Sequence, residues 1–437
     1  METFKYIAVY QKIVCDIHDG YLVYHQKIPS IRQMSKEMQV SKTTVENAYL
    51  QLLAEGYIYA VEKKGYFVDV QETLQTSIKK EEAHIPSKEQ VYLYDFSGRK
   101  VNTSCFDIQI WQKYIKRTLH NQDALLSYGS PFGQIELLEQ LQLYSYQYRG
   151  VKRPTDQMIV GAGFQVLLQQ LCHCFLRPIS IGMDEVGFIQ AQSVFENLGI
   201  EIIKIPSDKD GIDIKSLADL NIQMLYIHSS SSGYHGKPLK RQRRIELLKY
   251  AREKEVYLIE DDHNGELKFL SKPIDALAKD DDQWVIYIGS FSKVLLPSIR
   301  ISYMSLPKQL MNKFIDKNKY YHQTTSKLEQ LAFAAYLEDN QLGRHIKRLR
   351  KYYADLSTHL IDTWQTNFPQ YPCILYETPL KITIDLPTKL VDTYIELAKK
   401  ESIYILKNNH HQVALSFSSI DYEDVDKAIK ILKRIWK

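Results

Sequence analysis

From residue 158 onward the sequence carries five short, nearly unbroken apolar runs, at 158–160, 224–227, 256–259, 285–288 and 299–304, with helix-length patterns between them. Each run is too short for a helix and lacks the polar alternation of a strand with one wet face, so each reads as a strand buried on both sides. Strands of that kind, separated by helices, assemble into a mostly parallel sheet with helices on both faces. The chain is thereby constrained to an α/β architecture, and ligand chemistry is to be sought just beyond the carboxyl ends of the strands.

A length of 437 residues, 44% apolar and 25% charged, fits two or three ordinary domains and excludes a disordered or disulfide-stapled chain. No stretch approaches the ~18 consecutive apolar residues of a membrane span. The N-terminus lacks the basic, apolar and small-residue order of a signal peptide, so a cytoplasmic location without a membrane partner is expected. Cys15, Cys105, Cys172, Cys174 and Cys373 are odd in number and scattered, which fits a reducing compartment. Cys172-His173-Cys174 sits in an apolar, helix-like segment with no second ligand pair nearby, so no metal is expected.

Residues 71–91 are polar, charged and aperiodic between patterned flanks, which sets a first domain over 1–70, a linker over 71–93 and a large domain over 94–437. In the first domain Ile7, Tyr10, Ile13, Val14 and Ile17 recur at helical spacing up to Gly20. Ser30 followed by Gln33 is a capping-box start for a second helix. Ser41 caps a third, whose expected buried stripe is Val45, Ala48, Tyr49, Leu52 and Leu53. Runs at 57–61 and 66–70 flank Glu62-Lys63-Lys64-Gly65, a hairpin with a basic tip.

Two helices at a tight turn followed by a hairpin is the winged helix-turn-helix plan, in which the start of the second helix enters the DNA major groove. Ser41, Lys42, Thr43, Thr44 and Asn47 occupy that start and suit phosphates and base edges. Arg32 and the wing-tip residues Lys63, Lys64 and Gly65 would flank them. With a net charge of only +4, duplex DNA would be held by this placed surface rather than by bulk charge.

In the large domain, the first strand is followed by Gly161-Ala162-Gly163-Phe164-Gln165, a glycine turn opening a helix whose free N–H groups suit a phosphate. The third is followed by Glu260-Asp261-Asp262-His263 and the fourth by Ser290-Phe291-Ser292-Lys293, while Arg300 falls within the fifth apolar pattern. A phosphate cradle, a carboxylate, a lysine and an arginine at successive strand ends are what pyridoxal 5'-phosphate (PLP) needs. The lysine forms a Schiff base, the carboxylate keeps the pyridine nitrogen protonated, and hydroxyls, arginine and a helix N-terminus take the phosphate.

Two resemblances follow from these residues. The head resembles the GntR family through Pro29-Ser30-Ile31-Arg32, Val40-Ser41-Lys42-Thr43-Thr44-Val45 and Leu53-Ala54-Glu55-Gly56-Tyr57-Ile58. Residues 94–437 resemble a fold-type-I PLP-dependent aminotransferase, and the whole chain resembles the MocR subfamily of GntR regulators. The resemblance implies that Tyr128, in Tyr128-Gly129-Ser130-Pro131-Phe132-Gly133, reaches the cofactor phosphate of a partner subunit, and that Gly163-Phe164-Gln165 is the phosphate turn. It also implies that Phe188 covers the pyridine ring, Asp261 meets its nitrogen, Lys293 forms the Schiff base and Arg300 takes the phosphate. Ser290 and Ser292 join the cofactor set, and a homodimer is expected.

Three departures bear on function. His263 stands where the family usually has a tyrosine that bonds the ring hydroxyl; an imidazole can still donate that bond. Residues 229–236 lose the proline-fixed loop over the cofactor. Ala414, in Val413-Ala414-Leu415-Ser416-Phe417, replaces the arginine that clamps a substrate α-carboxylate. The expectation is therefore a DNA-binding regulator that senses the B6 cofactor itself or a small amine, rather than a working aminotransferase with an accessory head.

Overall fold

Ser30 and Ser41 each end an extended segment and start a helix by accepting a backbone hydrogen bond on Oγ, from Gln33 and Thr44 respectively. At Ser30 the Gln33 side chain returns the bond to the Ser30 N–H, completing the capping box. The computed structural model describes residues 5–69, 91–102, 106–176, 178–185, 187–208, 210–230 and 238–436. The chain divides into two compact units, residues 1–90 and 91–437. The expected linker lies almost wholly outside the described residues.

In the first unit α1 (Lys5–His18), α2 (Ile31–Glu37) and α3 (Lys42–Ala54) precede the antiparallel hairpin of β1 (Ile58–Val61) and β2 (Gly65–Val68). Helix α3 buries Val45, Ala48, Tyr49 and Leu52 as its spacing predicts, whereas Leu53, the last of the expected stripe, is only half-buried at the edge of that core. Helix α1 buries Ile13 and Ile17 of its expected face together with Val9, while Ile7, Tyr10 and Val14 are half-buried; Tyr10 packs against this core and donates its phenol to Glu55. Lys27 pairs with Phe67 across β2, and the Ile28 N–H donates to the Tyr66 carbonyl, so a third strand-like segment backs the hairpin.

The second unit is built on β3 (Met158–Gly161), β4 (Ser180–Asp184), β5 (Glu201–Ile205), β6 (Met224–Ile227), β7 (Tyr257–His263), β8 (Val285–Ser290) and β9 (Ser302–Ser305). Their order is β3-β9-β8-β7-β6-β4-β5; only β9 runs antiparallel to its neighbours. Successive strand residues enter opposite cores: Leu225, Leu258, Val285 and Tyr303 on one side, Tyr226, Ile259, Ile286 and Met304 on the other. The sheet is thus buried on both faces, as the unbroken apolar runs require.

Two features differ from the sequence reading. Strands β4 and β5 lie outside the five expected runs: β4 is buried but short of apolar residues, with Ser180, Gly182 and Asp184 among its five, and β5 is an edge strand with an exposed Glu201 and Lys204. The last run, 299–304, is not all strand. Pro297–Ile299 forms a 3-10 turn, Arg300 adopts a left-handed conformation (φ 53°), and β9 starts only at Ser302. A 27-residue helix, Gln341–Asn367, leads into a four-stranded antiparallel sheet of β10 (Cys373–Tyr376), β11 (Lys381–Asp385), β12 (Leu406–Asn409) and β13 (Gln412–Ser416), ordered β10-β11-β13-β12. Among the described residues no helix is long and apolar enough to cross a membrane.

Candidate functional site

The carboxyl ends of the parallel strands and the start of antiparallel β9 lie at one edge of the sheet, which is why Arg300 meets residues far from it in sequence. There a pocket of about 240 Å³ is lined by Gly163, Phe164, Gln165, Phe188, Asp261, His263, Ser290, Ser292 and Arg300, joined by Gln190, Ile301 and Ser302. Gly163 (φ 95°) ends the turn before the helix Phe164–Cys172, whose first turn no side chain caps. A Cβ at Gly163 would lie 2.4 Å from Arg300 Nη2, so only glycine lets the guanidinium settle against this helix start. Arg300 is exposed and has no carboxylate partner among the described residues. The Ser290 and Ser292 hydroxyls are 3.1 Å apart beside it. A helix start, a guanidinium without a carboxylate partner among the described residues and two hydroxyls are groups that could hold a phosphate.

Strand alternation sorts the acidic run after the third expected strand. Glu260 points away from the pocket and accepts from the Leu277 and Ala278 N–H groups at 2.7 and 3.0 Å. Asp262 also points away: it pairs with buried Arg149 and accepts the Tyr287 phenol at 2.9 Å. Asp261 alone of the three carboxylates faces the pocket. Its Oδ2 accepts the Tyr226 phenol at 2.5 Å, and His228 Nδ1 stands 3.8 Å from the same oxygen. Burial holds His263 neutral by pushing its pKa down to about 4, so its ring keeps one N–H to donate at physiological pH.

Lys293 is half-buried at the end of β8, and its ammonium donates to the carbonyls of Gly98 and Lys100 and to Ser418 Oγ rather than lining the pocket. Burial lowers its pKa to about 8, opposed by the nearby Asp95 carboxylate. Near neutral pH the neutral, nucleophilic amine is therefore favoured over what an ordinary lysine offers. Tyr128 is 83% exposed, stacks on His322 at 4.9 Å and lies apart from this chain's own pocket, in a separate surface concavity with residues 319–327.

Ala414 is 1% exposed in β13, in register with Thr383 and Leu406. Residues 231–236 of the departed loop lie outside the described residues, whereas Ser229 and Ser230 are buried and Thr378 donates to the Ser230 carbonyl. Cys172 and Cys174 turn into the core and His173 turns out to solvent.

On the first unit Arg32, Ser41, Lys42, Thr43 and Asn47 are exposed around the start of α3, and Thr44 is half-buried. The Ser41 and Thr44 hydroxyls bond each other at 2.7 Å, so both shape the helix start as well as facing outward. Lys63 and Lys64 are exposed at the wing tip beside Gly65. Lys27 was not foreseen, yet its side chain reaches the wing tip, 3.2 Å from where a Cβ on Gly65 would be. Also missed were Gln190 and Ser302 in the pocket and Tyr226 and His228 behind Asp261. His228 directly follows the run 224–227, so the strand-end rule that selects Asp261 and Ser290 applies to it equally.

Residues 5–68 match the gntR family of bacterial regulatory proteins. The chain is 34% identical to the uncharacterised HTH-type transcriptional regulator YdeL of Bacillus subtilis, over 99% of this chain and 96% of that one. It is 26% identical to the probable rhizopine catabolism regulatory protein MocR of Rhizobium meliloti, over 79% and 74%. Among solved structures, the kynurenine aminotransferase of Pyrococcus horikoshii in complex with PMP is similar with a TM-score of 0.69 at 21% identity, over 79% of this chain and 91% of that one, a likeness of fold. With a gntR-type head, an aminotransferase fold behind it and a full-length regulator as relative, the chain belongs to the MocR subfamily of GntR-type transcriptional regulators.

Proposed function

We propose that this regulator carries PLP in the pocket at the sheet edge, held covalently by Lys293, and that the loaded domain reports the level of the B6 cofactor or of a small amine to the DNA-binding head. The observation that carries this reading is the convergence of the Gly163 turn, Arg300, Ser290, Ser292, Asp261, His263 and Phe188 on one 240 Å³ pocket. The residues fit the group: an uncapped helix start with an arginine laid against a glycine matches a phosphate, and a lone inward carboxylate matches a ring N–H. Bound there, PLP supplies an aldehyde that takes up primary amines and a ring that withdraws electrons.

There Gly163, Gln165, Ser290, Ser292 and Arg300 would bind and orient the phosphate, Phe188 would cover one ring face and His263 would donate to the ring oxygen. Lys293, whose amine bonds the Gly98 and Lys100 carbonyls, would have to turn from them to reach the cofactor. Tyr128 of the partner subunit completes the site in a homodimer, and the two heads, acting in the cytoplasm, read two half-sites in register. Arg32, Lys42, Lys63 and Lys64 take phosphates, and Ser41, Thr43, Thr44, Asn47 and Gly65 approach bases and grooves.

A working aminotransferase with an accessory head is the alternative. Ala414 weighs against it, because an amino-acid substrate finds no bidentate partner for its α-carboxylate at that position. Fluorescence anisotropy on a promoter fragment bound by the wild type tests the sensing claim: apo and PLP-loaded protein should differ in DNA affinity by several-fold or more. Equal affinities, with cofactor bound in the loaded sample, would refute sensing.

A further inference from the structure

Asp261 is held from behind. Tyr226, the penultimate residue of β6 and 1% exposed, sends its phenol to Asp261 Oδ2 at 2.5 Å. His228 stands against the same oxygen and bonds the Asp261 backbone carbonyl at 3.3 Å. The ring of His228 also packs edge-on against Tyr226 at 5.3 Å and against Phe188 at 5.5 Å. One strand end therefore touches both the carboxylate aimed at the edge of the proposed ring and the aromatic proposed to cover its face. Among the described residues, no protein group donates to Asp261 Oδ1.

We infer that Tyr226 is a positioning residue that fixes the Asp261 carboxylate with Oδ2 occupied and Oδ1 free for a single ring N–H donor. Resting on the cofactor reading above, this narrows the class of ring the pocket prefers. A planar heteroaromatic with one N–H at its edge satisfies Oδ1, whereas an isosteric ring with C–H there leaves a buried carboxylate oxygen without a donor. The phenol is a donor at every accessible pH, because burial and the Asp261 charge raise its pKa well above 10. The charged or titratable groups around Asp261 are Tyr226 on β6, His228 just after it and His263 on its own strand, with Arg300 in the same pocket; Glu260 and Asp262 point to the opposite face.

The test compares the affinity of PLP with that of its 1-deaza analogue, in which C–H replaces the ring nitrogen, in the same protein. Because both ligands see the same fold, general loosening cancels in the ratio. Wild type should prefer PLP, Asp261→Asn should bring the ratio close to one, and Tyr226→Phe should lower it by about tenfold, the usual effect of removing a group that orients a ligand contact. The double variant should fall no further than Asp261→Asn alone. An unchanged or increased ratio in Tyr226→Phe overturns the inference while leaving the cofactor reading standing. Failure of wild type to bind either compound removes both.

A second measurement does not depend on the Phe variant folding. With 3-fluorotyrosine incorporated at position 226, the fluorine resonance should move when PLP is added and stay in place with the deaza analogue. An equal response to the two overturns the inference.

Discussion

Asp261 and Asp262 are adjacent and chemically identical, yet the same substitution should act on them in opposite ways. Asp262 is 1% exposed and receives two bonds from Arg149, itself 1% exposed, and one from Tyr287. In Asp262→Asn the guanidinium stays buried without its counter-charge, and breaking such a pair costs about 3–5 kcal/mol. Against a total stability of roughly 5–15 kcal/mol, this should lower the melting temperature by on the order of 10 °C. Asp261 is bonded by the Tyr226 phenol, with His228 3.8 Å from the same oxygen and no buried arginine or lysine paired to it among the described residues, so Asp261→Asn should cost clearly less stability than Asp262→Asn while weakening PLP binding. Thermal and urea unfolding of both apo variants, with PLP titration of each, decide the matter. Equal destabilisation, or an Asp262→Asn protein that melts like wild type, would refute the assignment of the two carboxylates to opposite faces.

Three further outcomes follow from the geometry. Gly163→Ala places a methyl 2.4 Å from Arg300 Nη2 at a positive φ; PLP affinity should fall by about tenfold or more with the fold retained, as measured by fluorescence titration and circular dichroism. Burial, reinforced by Asp262, raises the Glu266 pKa to about 7, so stability from its protonated form is present below about pH 4.3 and lost as pH rises through 7. Glu266→Gln should therefore match wild type in acid and exceed it by up to about 3 kcal/mol above pH 7; parallel stability curves across pH 4–8 would contradict this. In the head, Arg32→Ala with Lys42→Ala should lower the salt slope of DNA binding by about 2 and leave PLP binding unchanged, whereas Ser41→Ala should also cost about 1 kcal/mol of head stability through the lost cap. An unchanged salt slope would exclude α3 as the reading helix.

Much of this was legible in the sequence, and the gaps have physical reasons. Helix caps are local, so Ser30 with Gln33 and Ser41 with Thr44 could be read from spacing alone. The buried strands announced themselves as unbroken apolar runs, and the residues just beyond them led to Asp261, Ser290 and Gly163. Edge strand β5 is hidden in the sequence because Glu201 and Lys204 face water and imitate a polar loop. Arg300 was placed inside a strand because the turn before Ser302 is apolar too; that it reaches the site depends on β9 running antiparallel, a tertiary fact. Tyr10 packs against the core only in part, and its phenol is met by Glu55, 45 residues away, a contact that helical spacing does not show. The behind-the-site contacts of Tyr226 and Arg149 depend on sheet order and could not be read from one strand at a time.

The claim that Lys293 holds PLP in a DNA-binding regulator is tested most directly by reducing the PLP-loaded, full-length protein with borohydride and mapping the modified peptide by mass spectrometry. The expected result is a visible absorption band that disappears on reduction, one pyridoxyl group per chain on Lys293, and neither band nor label in Lys293→Ala. A label on another lysine, or a band that survives in Lys293→Ala, would contradict the account.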